Sequence, residues 1–402
     1  MESKISRHIF DNMVYSNNFI MKGGDLLSEG GYGCVFYPSI NCSGKIAGDY
    51  KIVSKVQVSD KNAENEIEIG NIIKNIYDFI NYFSPIIESC PIKVKKIKDK
   101  QINKCNIFKQ YKNSKFKLMK MVYIKGTTFT NYIMNFENKN ELIINIINSY
   151  NHLLKSLAKL IKVKVVHFDL KGNNILFNSE MKVPIIIDFG LSIPMEKIDK
   201  HGLELLKRYF YIYAPEYYIW PIEVHYLNYI LHVKDNPSES ELLSICSKYT
   251  KSNDILKNVF STDFLVSYSE SCFRQLKKYN KMSYKNRISY ILNAWETWDN
   301  YALSMLYLKI FLFININGFR ENLFIVHFSK LLLKNIHANP NRRSDLTQNI
   351  HNFNKFFYSK NYDKETFENI EKVYEENINY IVKALSQDND AQQTTLIKKH
   401  KA

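Results

Sequence analysis

The stretch Val166-His167-Phe168-Asp169-Leu170-Lys171-Gly172-Asn173-Asn174-Ile175-Leu176, followed by Ile187-Asp188-Phe189-Gly190, constrains this chain more than any other part of it. Three acceptor-bearing side chains (Asp169, Asn174, Asp188) and one fixed cation (Lys171) fall within twenty residues, each flanked by apolar β-formers. Side chains of these types form a minimal kit for moving phosphate. One carboxylate serves an attacking hydroxyl, a second carboxylate and an amide offer hard oxygen ligands to Mg²⁺, and an ammonium neutralises the group in transit.

Composition frames that reading. A chain of 402 residues with 45% hydrophobic and 14% aromatic content has room for two or three folded lobes and a sizeable core. Cys34, Cys42, Cys90, Cys105, Cys246 and Cys272 show no C-x-x-C pair and no metal-ligand spacing, so they read as reduced cytosolic thiols. The polar start carries no apolar signal region. The longest apolar stretch, Tyr301 to Ile316, is interrupted by Lys309 and falls short of the roughly 20 residues a bilayer span needs. The expectation is a soluble, cytoplasmic protein without a transmembrane segment. Net charge is +15, with eleven lysines against the single acid Asp99 between Lys93 and Lys120. A solvated hairpin accounts for that run better than a nucleic-acid platform, because arginine and aromatic residues do not interleave there.

Along the chain, Leu26 to Tyr37 reads as strand, glycine turn and strand, and Tyr50 to Val58 alternates with period two. Ala63 to Tyr77 has helical spacing (Ile69, Ile72, Ile73, Ile76) and opens with acids. Further strands are expected at about 92–98 and 105–123, and a long helix over Leu142 to Ile161. Beyond the second motif the pattern is mainly helical: a loop at about 191–222, a polar stretch with short helical patches over 223–294, an apolar helix from Trp298 to Phe313, and an amphipathic helix over 363–386 before a polar tail.

The spacing H-x-D-x-K-x-x-N, with D-F-G fourteen residues later, resembles the catalytic and metal loops of eukaryotic-type protein kinases. Other segments extend the likeness from about Gly23 to about Asn352. Ser28-Glu29-Gly30-Gly31-Tyr32-Gly33 with Val35 is similar to the glycine-rich nucleotide loop, a serine replacing its first glycine. Val53-Ser54-Lys55 resembles the strand whose lysine touches the α- and β-phosphates. Glu66 is the chosen partner of Lys55, with Glu64 and Glu68 as alternatives on the same helix. Lys117 to Phe129 resembles the last small-lobe strand and hinge. By that resemblance Met121 is expected to guard the adenine pocket, the backbone at Val122 and Ile124 to bond the base, and Leu176 to form its floor. Tyr213-Ala214-Pro215-Glu216 is similar to the A-P-E that closes the activation segment. Its Glu is expected to pair with Arg343, and Asp299 to support the catalytic loop. The Asn-, Lys-, Ile- and Tyr-rich composition and GGYGCVFYPSI look like the serine/threonine kinases of giant nucleocytoplasmic DNA viruses, which would place the protein in host cytoplasm or virion.

What the resemblance implies is an α+β, bilobal protein-kinase-like fold with a small β-rich N-lobe and a larger, mainly helical C-lobe. The divisions are a leader at 1–21, an N-lobe at 22–124, a C-lobe at 125–355 with an insertion at about 221–294, and a C-terminal helix and tail at 356–402. It implies an ATP- and Mg²⁺-dependent (or Mn²⁺-dependent) serine/threonine kinase acting on protein substrates, and the basic run Lys277-Lys278, Lys281, Lys285, Arg287 favours acidic ones. Asp169 is then the base, Lys171 balances the γ-phosphate, Asn174 and Asp188 ligate metal, and His167 is a structural ring. A pseudokinase scaffold is the alternative.

Three departures from the family pattern stand out. Phe168 replaces the arginine that pairs with activation-loop phosphate, so the segment is expected to be competent without phosphorylation. Tyr209 stands where a threonine usually bridges Asp169 and Lys171. The connection between Glu216 and Trp295 is unusually long: a substrate module or a tolerated surface loop.

Overall fold

The computed structural model describes residues 24–30, 33–45, 49–94, 104–134, 139–315 and 323–357. The leader, Gly31 and Tyr32 of the glycine turn, and the expected helix over 363–386 with its tail lie outside the described residues. The structure is mixed α+β, β-rich in its N-terminal region and helical in its C-terminal region.

Strands β1 (Asp25–Glu29) and β2 (Gly33–Tyr37) form a hairpin, and β2 pairs with β3 (Ile52–Val58). Gly33 is required by close approach: a Cβ there would meet Gln57 Cβ at 2.6 Å and Val56 O at 2.7 Å. Helix α1 (Lys61–Ile73) follows β3 at once. Asp60 caps it by accepting from the Ala63 N–H at 2.8 Å, satisfying one of the free donors of the first turn. Its Ile69 and Ile73 are buried, and the same rotation turns Glu66 inward.

After β4 (Phe83–Ser84) come β5 (Glu88–Ile92), a short helix α2 (Asn106–Gln110) and β6 (Phe116–Val122). They complete an antiparallel five-stranded sheet in the order β1-β2-β3-β6-β5. The strands expected at 92–98 and 105–123 are therefore displaced. Residues 106–110 are helical because Ile107 drops into the cluster of Cys34, Phe36, Val56 and Leu118, while Cys105 is bonded to Cys34.

That bond corrects the reading of reduced thiols. Cys34–Cys105 and Cys42–Cys90 are disulfides with Cα atoms 6.1 and 6.0 Å apart, joining residues 71 and 48 positions distant in sequence. Spacing alone did not show them, since both pairs are made by strand order. Only Cys246 and Cys272 are free, and both are buried.

In the C-terminal region β7 (Gly126–Thr128) leads into α3 (Phe129–Met134) and the long α4 (Lys139–Lys162). Gly126 abuts the Phe177 carbonyl, which a Cβ would approach to 2.0 Å. Next come β8 (Val165–Val166), β9 (Ile175–Asn178), β10 (Val183–Ile187) and β11 (Ile193–Pro194). A second sheet runs β4-β10-β9-β7, and β11 pairs antiparallel with β8. The opening motif thus lies between β8 and β9, and Asp188 directly follows β10.

One loop expectation is overturned, and one open alternative is narrowed. Within 191–222 lies α5 (Met195–Tyr209), kinked at Gly202 (φ 74°), with Ile198 and Leu206 buried. Residues 221–294 form α6 (Ile222–His232), α7 (Glu239–Ser252), α8 (Asp254–Val259), α9 (Thr262–Asn280) and α10 (Tyr284–Leu292). Their Leu242, Ile245, Tyr249, Cys272, Leu276 and Tyr279 share one core with α11 (Trp298–Asn315), so this segment is no surface loop. Helices α12 (Leu323–Asn335) and α13 (Leu346–Phe357) complete the fold. Among the described residues, no helix is long and apolar enough to cross a membrane.

Candidate active site

Strand β3 presents Lys55 between Val35 of β2 and Met119 of β6. Its ammonium lies 2.8 Å from Glu66 Oε2 on α1 and 3.3 Å from Asp188 Oδ1. Glu66 is the partner, because it is the acid on the buried face of the helix. Glu64 instead reaches Lys117 at 3.9 Å, and Glu68 pairs with Lys197 of α5. Burial by itself pushes Lys55 down, but Asp188 and Glu66 outweigh it and hold its pKa above the ordinary lysine value. Burial raises the Glu66 carboxyl, with Lys55 opposing. Asp188 is also raised by burial, yet Lys55, Lys171 and His167 bring it below the usual carboxylate range. Its side chain remains 46% exposed, so the charged carboxylate still reaches solvent.

The loop between β8 and β9 is held by several independent bonds. Asp299, at the start of α11, accepts from the His167 N–H at 2.6 Å and the Phe168 N–H at 2.9 Å. His167 Nε2 donates to the Ile187 carbonyl at 3.0 Å, while its Nδ1 accepts from the Asp169 N–H at 3.3 Å. Both ring nitrogens are therefore bonded, one across to the end of β10 and one within its own loop, which makes the ring a brace. The backbone is left-handed at Phe168 (φ 66°) and Asp188 (φ 62°), a conformation costing non-glycine residues about 1 kcal/mol or more and persisting where neighbours enforce it. From α1, Asn65 Nδ2 donates to the carbonyls of Gly190 (3.1 Å) and Ser192 (2.8 Å).

Around Asp169 the polar groups converge. Lys171 Nζ stands 3.1 Å from its Oδ1, and Asn174 Nδ2 donates to its Oδ2 at 2.8 Å and its carbonyl at 2.9 Å. The Tyr217 hydroxyl also donates to Oδ1. Tyr217 was not foreseen; Tyr209 was expected near this position, but it lies at the end of α5.

Phe168 is buried in a cluster, stacked on Trp220 (ring centres 4.7 Å apart) and edge-on to Phe210 (5.4 Å). Trp220 Nε1 also donates to the Phe168 carbonyl at 2.8 Å. Aromatic packing thus ties residues 210–220 to the β8–β9 loop at Phe168. Ser192, one of the hydroxyls of that segment, is buried and donates to the His167 carbonyl at 3.1 Å.

The pairing expected for Arg343 is corrected. Its guanidinium grips Glu223 with two bonds (2.6 and 2.9 Å), not Glu216. Pro221 caps α6 and places Glu223 in the first turn among buried Ile222 and Val224, so this acid enters the core and requires a cation there. Glu216 is only half-buried.

Of the remaining sequence-derived residues, Val53 pairs with Met121 across β3 and β6, and Met121 packs against the cluster of Ala63, Ile86 and Met119. Val122 and Ile124 cluster with Ile185, and Leu176 packs against them. The Val122 carbonyl already accepts from Ser84 Oγ at 3.0 Å. Ser28, Glu29 and Gly30 are exposed at the hairpin tip, where Glu29 receives the Asn106 N–H at 3.0 Å. As ligands, a half-exposed carboxylate (Asp188) and an amide (Asn174) form an oxygen set suited to a hard divalent cation such as Mg²⁺. No protein-family model matches the chain, and a search of the curated proteins finds no match.

Proposed function

We propose that this chain is a protein kinase with a bilobal fold, transferring the γ-phosphoryl group of ATP to serine or threonine hydroxyls of protein substrates. The observation that carries the reading is the bridge Glu66–Lys55–Asp188. It brings together a sheet lysine, a helix acid and the D-F-G acid, the last 133 residues from Lys55 in sequence. Asp169, Lys171 and Asn174 form a second bonded group, and the charge of its Lys171 acts on Asp188.

In this reading Lys55, oriented by Glu66, holds the α- and β-phosphates of the nucleotide. The apolar surfaces of Val35, Val53, Met121 and Leu176 take the base, with backbone bonds at Val122 and Ile124. Asp188 and Asn174 hold Mg²⁺, which when bound neutralises phosphate charge. Asp169 orients the acceptor hydroxyl and takes its proton, and Lys171 balances charge on the transferred group. The aromatic tie between Phe168 and Trp220 keeps the segment in place without a phosphate.

The test is phosphorylation of a generic basic protein with ATP and Mg²⁺ by wild type, Asp169→Asn and Lys55→Met. Wild type is expected to transfer phosphate on the order of 10²–10⁴ faster than Asp169→Asn. Equal signals from all three proteins would discard the kinase in favour of a scaffold. Phosphosite mapping on a peptide library then reports acceptor type and flanking charge.

A further inference from the structure

The Asp169 carboxylate is satisfied asymmetrically. Its Oδ1 receives the Tyr217 hydroxyl and lies 3.1 Å from Lys171 Nζ, whereas its Oδ2 receives one bond, from Asn174 Nδ2. A carboxylate oxygen offers about two acceptor sites, so Oδ1 is filled and Oδ2 keeps one. Tyr217 is itself tightly placed. Its N–H closes a turn onto the Ala214 carbonyl (2.9 Å), its ring stands edge-on to Trp220 (4.7 Å), and the side chain is buried. Lys171 Nζ lies 5.9 Å from the same ring.

A tyrosine kept for packing alone could direct its hydroxyl to any buried acceptor. This one reaches the carboxylate of the proposed base, from the segment that Trp220 ties to Phe168. We propose that Tyr217 is a positioning residue for Asp169. Its hydroxyl fixes the carboxylate rotamer and saturates Oδ1 together with Lys171, so that an incoming acceptor hydroxyl is directed to Oδ2. The inference rests on the kinase reading above. In the transfer step the acceptor O–H proton passes to Asp169 Oδ2 and the oxygen pair forms the new P–O bond. The bond to the leaving diphosphate oxygen breaks with its pair retained by ADP.

The experiment uses the full chain with a peptide acceptor and follows kcat and KM separately. Tyr217→Phe keeps the ring and its Trp220 contact, and is expected to lower kcat tenfold or more with the KM for ATP unchanged. Because Lys171 shares Oδ1, the same change should cost less in a Lys171→Met background. Installing p-aminophenylalanine at position 217 restores a donor at the same place and should recover kcat, whereas p-methylphenylalanine, of similar shape without a donor, should not. That pair carries the comparison if Tyr217→Phe fails to fold. Equal kcat for the amino and methyl variants, or a fall confined to KM, overturns the positioning role and leaves the kinase reading standing. Wild-type transfer no faster than Asp169→Asn refutes the kinase reading itself, and the role of Tyr217 with it.

Discussion

Glu223→Gln is the substitution that most directly tests how the helical region is locked. The Glu223–Arg343 pair is bidentate, and the two side chains are 0% and 1% exposed. Arg343 is further bonded to the His337 carbonyl (2.8 Å) and to Thr297 Oγ1 (3.0 Å). Neutralising the acid leaves a guanidinium that cannot shed its charge and cannot reach water. Each charge-assisted bond contributes about 1.5–3 kcal/mol. Breaking one side of a buried pair costs about 3–5 kcal/mol, since the partner is left buried and uncompensated. Urea unfolding should therefore show Glu223→Gln destabilised by about 3–5 kcal/mol. Glu216→Gln, at a half-buried position, should cost about 1 kcal/mol or less. A double replacement, Glu223→Leu with Arg343→Met, should recover most of the loss, because filling the space with apolar atoms removes both desolvation penalties. The reasoning fails if Glu223→Gln unfolds like wild type, or if Glu216→Gln is the costlier change.

Other perturbations probe separate parts of the molecule. Phe168→Arg should destabilise by about 3 kcal/mol or more in the same unfolding assay, because it puts an unpaired cation into an aromatic cluster. Phosphatase treatment, in contrast, should leave transfer activity unchanged; its loss would refute a segment held by aromatic packing. Removing either disulfide by Cys34→Ser with Cys105→Ser, or Cys42→Ser with Cys90→Ser, should lower stability by about 2–4 kcal/mol, given the long loops they close.

Much of the candidate site was legible because its residues stand at offsets that resemble a known pattern. Asp169, Lys171, Asn174 and Asp188 could be named from spacing, and Asp299 from the resemblance to protein kinases. Glu66 was separable from Glu64 and Glu68 only by the Ile69/Ile73 stripe, which gave its face. What escaped was set by pairing across the fold. The disulfides depend on β5, β2 and α2 becoming neighbours, and no cysteine spacing encodes that. The segment after Asp188 was misregistered because Ala214-Pro215-Glu216 matches a familiar string, whereas Pro221-Ile222-Glu223 supplies the buried acid. One clue was present: an acid between isoleucine and valine, two residues after a proline, is placed to be carried into a core. Trp220, one of three tryptophans, was a second.

Lys309 carries the remaining prediction, on pH. It lies in the buried α11, 5.9 Å from the Tyr218 ring, and was noticed in the sequence only as the break in an apolar run. Burial pushes it down to about 7, against the opposing pull of Asp254. A lysine whose folded pKa lies below its unfolded value adds stability that is fully present above the unfolded pKa and is lost as pH falls through the folded one. Between roughly pH 10 and pH 7 the unfolded chain binds a proton that the folded chain does not, so the native state weakens on acidification. A shift of this size corresponds to about 5 kcal/mol as an upper bound. Lys309→Met, which fits a long unbranched side chain into the same space, should remove that slope. The gain in unfolding free energy over wild type should be largest near pH 6 and should shrink towards pH 10. A gain independent of pH would show that Lys309 keeps its charge within the core, held by its surroundings and not suppressed by them.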